Sequence, residues 1–62
     1  MSVVTAADKL KCAQRELNLR ILVYRNRVMT KRMSQAQADR EIATMRAIVE
    51  DYKKAAERER LL

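Results

Sequence analysis

Apolar side chains return every third or fourth position through two long stretches of this chain, and polar residues fill the intervals. In the first stretch they are Leu10, Ala13, Leu17, Ile21, Tyr24 and Val28; in the second, Ala38, Ile42, Met45, Val49, Tyr52 and Ala56, with Ile48 on the flank. At about 100° per residue each set falls within roughly 40° of one line, which is the stripe of an amphipathic helix. The two stretches are separated by a stop and a start. Ser34 is placed to cap a new helix and Gln37, three positions on, to reach back to the Ser34 amide; Met33 and Ala38 occupy the hydrophobic-staple positions around that cap. Thr5 followed by Asp8 offers an equivalent first cap, with an acid in the first turn where the helix dipole favours it. With no glycine or proline anywhere, neither stretch contains a breaker.

The pattern predicts an all-α fold: an antiparallel two-helix hairpin in one domain over residues 1–62. Helix 1 is expected at about 5–30, the turn at about 31–34 and helix 2 at about 35–60, each helix near 40 Å long. Folding near residue 33 sets Val28 beside Ala38, Tyr24 beside Ile42, Ile21 beside Met45, Leu17 beside Val49, Ala13 beside Tyr52 and Leu10 beside Ala56. Large side chains then face smaller or more flexible ones, as interdigitating layers require. Both tyrosines read as core, with hydroxyls free to emerge at the seam edge.

Helix 1 has more apolar surface than one partner helix covers. Cys12, Leu19 and Val23 lie roughly opposite Leu17 and Ile21, with Leu22 partway round. Three apolar residues within five positions point to an interface. A fold of about 60 residues buries only about 60% of its unfolded-chain surface, so it needs a staple, a metal or a partner. One cysteine makes no intrachain disulfide, and a chain without histidine has almost no zinc ligands. The expectation is a homodimer, hairpin on hairpin as a four-helix bundle with helix 1 near the centre, using Cys12, Leu19, Leu22 and Val23 as dimer or partner interface.

Charge adds a second theme. Residues 1–33 hold eight Lys or Arg against Asp8 and Glu16, a net +6, whereas residues 34–62 balance at zero. Helix 2 has the mixed signs of a solvated face, including Glu50 and Lys54 at the favourable i,i+4 spacing. On helix 1, Lys9, Arg20, Arg27 and Lys31 form a basic flank suited to an acidic partner or to phosphate, interrupted by Glu16. No aromatic is interleaved for base stacking and no recognition-helix signature is present, so RNA or DNA is the second choice of partner behind a protein. Membrane binding is not expected, because the apolar stripe already has a partner in helix 2 and no run of about 18 apolar residues occurs. Met1 to Ala7 lacks the basic start and apolar core of a signal peptide, and a lone cysteine fits a reducing compartment; the expectation is cytoplasmic.

Catalysis finds no foothold in the sequence. There is no Ser-His or Cys-His pair, no glycine-rich phosphate loop and no metal motif, and two helices enclose no substrate pocket unaided. Neither enzymatic activity nor a cofactor is expected. Cys12 has Lys9, Lys11 and Arg15 nearby but reads as a small apolar member of the second row.

Several segments resemble a group of small uncharacterised bacteriophage and prophage proteins: Cys12 to Arg20, Val23-Tyr24, Arg32 to Ile42, Met45 and Ala47 to Tyr52. The resemblance extends over about four-fifths of the chain, and its most distinctive part is the turn with Ala38-Asp39-Arg40-Glu41-Ile42. Members of the group usually carry glycine before the Arg-Met of the turn, where this chain has Lys31, so helix 1 is expected to end under some strain. The resemblance implies an accessory role inside an infected bacterium and brings no functional residues with it. Together the readings predict an interaction protein that binds and modulates or inhibits a host or phage protein, with an RNA- or DNA-associated dimer as the alternative.

Overall fold

The computed structural model describes residues 3–62 and consists of two helices, α1 (Ala6–Met29) and α2 (Gln35–Leu61), packed antiparallel as a hairpin about 47 Å long. No strand occurs among the described residues. Both predicted caps form as full capping boxes. At α1 the Asp8 N–H donates to Thr5 Oγ1 at 3.1 Å, and the Thr5 N–H donates to the Asp8 carboxylate at 3.0 Å. At α2 the Gln37 N–H donates to Ser34 Oγ at 3.1 Å, and the Ser34 N–H returns to Gln37 Oε1 at 3.3 Å. Each box satisfies two of the amides a helix start leaves orphaned.

The end of α1 is built without glycine. Lys31 has φ 61°, in the left-handed region; its N–H donates to the Val28 carbonyl at 3.1 Å and the Arg32 N–H to the Arg27 carbonyl at 2.8 Å. These two bonds make a Schellman stop with a lysine where glycine fits best, at a cost of about 1 kcal/mol. The strain expected at Lys31 is therefore located in one backbone dihedral. It also removes Lys31 from the helical phase, so the expected basic flank ends at Arg27.

The core is the predicted seam. Ala13, Leu17, Met45 and Val49 are buried together, with Leu10, Ile21, Ile42 and Tyr52 packed partly buried against them. Toward the turn, Ile21, Tyr24, Val28, Ala38 and Ile42 line a common depression, as the expected register requires. Val49 keeps 3% of its surface exposed and Leu17 5%, while both tyrosines remain half-buried. The apolar interior is one layer deep. One detail of helix 2 differs from expectation: Glu50 pairs with Lys53 at 3.1 Å, not with Lys54. The i,i+3 neighbour lies as close as the i,i+4 one on a helix surface, and exposed pairs are decided by rotamers worth little energy.

Two interhelical contacts lie outside the apolar seam. The Ala6 N–H at the start of α1 donates to both Glu59 carboxylate oxygens of α2, at 3.1 and 3.3 Å, closing the open end of the hairpin. Near its middle, Arg20 donates from Nε to Glu16 at 3.0 Å and pairs across to Glu41 at 3.6 Å. No helix among the described residues is long and apolar enough to cross a membrane.

Candidate interaction surface

α1 has two apolar faces, set by the same helical repeat. Residues facing α2 bury the core; residues half a turn away have nothing over them. Leu19 is 53% exposed and Leu22 67%, Cys12 is exposed, and Val23 is half-buried. Of the four expected interface residues, Val23 thus contributes least to the outer surface. Met29, 76% exposed, continues the row toward the turn and was not singled out by the sequence pattern. The signal was present: Met29 stands seven residues after Leu22, two full turns along the same line.

The basic flank divides into different situations. Lys9 is exposed near the open end. Arg20 is held by Glu16 and Glu41 and only 29% of its side chain is exposed, so it is a structural tie between the helices and not a free cation. The Glu16 hydrogen bond raises its already high pKa, which keeps it charged. Arg27 lies over the Tyr24 ring, 5.7 Å from its centroid, an arrangement that fixes the guanidinium while leaving the side chain exposed. Lys31 projects from the turn itself. Arg25 and Arg32, exposed at the same end, were not among the expected residues.

Folding concentrates this charge. Residues 17–33 contain Arg20, Arg25, Arg27, Lys31 and Arg32 and no carboxylate, whereas residues 1–16 sum to +1 and residues 34–62 to zero. Five of the six net charges sit in the turn half of α1 and the turn. The first turn of α2 adds no acid to offset them, and its amides point the positive end of the helix dipole the same way. Leu22, Val23, Asn26, Arg27, Thr30 and Arg32 line a shallow depression where the apolar row meets this tip. At the open end the Asp8 carboxyl is held below its ordinary value, first by the Thr5 backbone N–H, then by the Thr5 side chain and, more weakly, by Lys11.

Among the described residues no group of His, Cys, Asp or Glu side chains is placed to hold a metal ion. Compared with protein families, with curated proteins and with solved structures, the chain has no match. The surface therefore has to be interpreted from its own chemistry.

Proposed function

We propose that this chain is a non-enzymatic interaction protein: a helical hairpin that forms a homodimer, a four-helix bundle with α1 near its centre, and in that form binds and modulates or inhibits a protein of a bacterial host or of a phage in the host cytoplasm. The observation that carries this reading is the exposed row of Leu19 and Leu22 on the side of α1 turned away from α2. Full burial of such side chains is worth about 1.5–3 kcal/mol each, a large share of the stability of so small a fold. The row serves the dimer and the basic tip serves the partner. A surface carrying the exposed Arg25, Arg27, Lys31 and Arg32 accelerates encounter with acidic proteins and fixes orientation more than it adds affinity.

The test is capture of partners from bacterial lysate by the tagged protein, with and without nuclease, beside an Arg27→Glu/Arg32→Glu variant. The reading predicts a discrete protein retained after nuclease and lost with the variant. A second reading, an RNA- or DNA-associated regulatory dimer, is favoured by the exposed Arg25, Arg27, Lys31 and Arg32 at the tip. It predicts instead that capture disappears with nuclease and that binding to generic RNA or duplex DNA weakens steeply with salt.

A further inference from the structure

The outer face of α1 is more regular than a patch. Cys12, Leu19 and Asn26 stand seven residues apart on one line, Arg15, Leu22 and Met29 on the adjacent line, and all six are exposed. This alternation of four and three is the seam of a coiled coil, in which a second helix lies along both lines. Most of it faces away from α2; Met29, at its edge, also borders the depression that Gln35, Ala38 and Ile42 of α2 line.

The six residues discriminate between the two orientations of a second copy. Parallel and in register, each residue meets itself, and Asn26 on Asn26 makes an acceptable polar layer. The same arrangement sets Arg15 on Arg15 and stacks the cations of one tip, Arg25, Arg27, Lys31 and Arg32, directly on those of the other. Turned end for end, the first line of one helix meets the second line of the other. Leu19 then faces Leu22, Cys12 faces Met29 and Asn26 faces Arg15, each layer occurring twice. Apolar side chains meet apolar ones in four of the six layers, and each of the two polar layers joins a guanidinium donor to an amide oxygen. Each tip now lies against residues 8–16 of the other copy, a stretch that carries Asp8 and Glu16 among its cations. The repulsion of like charges is reduced by the same turn that matches the layers, because residues 8–16 sum to +1 where residues 17–33 carry five cations.

We propose that the occupant of this face is a second copy of the chain, docked antiparallel along Cys12, Arg15, Leu19, Leu22, Asn26 and Met29. The proposal rests on the dimer reading above and specifies its geometry, with the two α1 helices in contact and an α2 helix on either outer side.

Cysteine chemistry tests it. In the antiparallel dimer the two native Cys12 thiols are seventeen residues apart along the seam, about 25 Å, far beyond the roughly 7 Å between Cα atoms that a disulfide spans. A thiol introduced by Met29→Cys faces Cys12 of the other copy. Held thiols have millimolar effective concentration, so cross-linking at micromolar protein should run roughly a hundredfold or more faster than between free monomers. The expected result under mild oxidation is a covalent dimer for Met29→Cys, with peptide mapping joining position 12 to position 29. Native protein and the double variant Cys12→Ala/Met29→Cys should remain uncross-linked, and all three should be dimers by sedimentation. Rapid cross-linking of the native protein through Cys12 would overturn the antiparallel geometry while leaving the dimer intact. Dimers that cross-link in none of the three would overturn the seam, and monomers throughout would overturn the dimer reading as well.

Discussion

Leu17 and Leu19 stand two positions apart on one helix, yet Leu17 keeps 5% of its surface exposed and Leu19 53%. A step of two residues rotates the side chain by about 200°, which carries it from the face against α2 to the face against solvent. The inner face is complete: every layer from Leu10 to Val28 has an apolar counterpart on α2. The outer face is equally regular and has none. α2 offers a contrast, because its outer surface is charged or alanine-lined at Ala36, Arg40, Ala43, Ala47, Lys54 and Arg58, and its exposed large apolar residues, Ile48 on the flank and Leu61 in the last turn, form no row. The asymmetry between the helices, with Leu19 and Leu22 exposed on α1, is the observation on which the proposed second chain rests.

That contrast is sharpest under substitution. Leu22→Asp places two carboxylates in the middle of the proposed seam, and dimer affinity should fall by about a thousandfold or more, measured by sedimentation equilibrium. Leu17→Ala acts on the other face and should cost about 2–5 kcal/mol in denaturant unfolding without altering dimer stoichiometry in the folded fraction. If Leu22→Asp instead lowered stability and left association untouched, the assignment of the two faces would be reversed.

Most of the fold was legible in the sequence because it is local. The caps at Thr5 and Ser34, the two stripes and their register depend on residue types at short spacings, and the hairpin forms as those spacings require. What was not legible depends on which atoms the fold brings together. Arg20 read as a member of a basic flank, but the chain reversal sets it against Glu41, and it becomes a tie between helices. Glu59 and the Ala6 amide are fifty-three residues apart, and no periodicity announces their contact. Met29 lies off the expected row for a different reason. That row runs through Cys12, Leu19 and Val23 with Leu22 partway round, and Val23 leans toward the half-buried flank, whereas Leu22 and Met29 define the outer edge.

Smaller effects refine the comparison of the helix ends. Thr5→Ala removes half of the first capping box and should lower stability by about 1 kcal/mol in chemical unfolding. Lys31→Gly relieves the left-handed residue at the turn and should raise stability by about 0.5–1 kcal/mol, net of the greater freedom glycine gives the unfolded chain. The Asp8 carboxyl titrates below its ordinary value of 3.8 because the folded state donates hydrogen bonds from Thr5 to its ionised form. The folded protein therefore binds fewer protons there than the unfolded chain. The contribution is present in full above the ordinary value and is lost as pH falls through the lowered one. Melting temperatures followed by circular dichroism from pH 5 downward should fall, and Asp8→Asn should flatten part of that slope.

The central claim is that the outer face of α1 is covered by another chain, and solution mass reports on it most directly. Sedimentation equilibrium of the native protein at micromolar concentration should return twice the chain mass of 7.3 kDa, with Leu22→Asp returning 7.3 kDa at unchanged helix content. A native protein that sediments at 7.3 kDa while folded and stable would show that Leu19 and Leu22 tolerate water unaided, and would contradict the account.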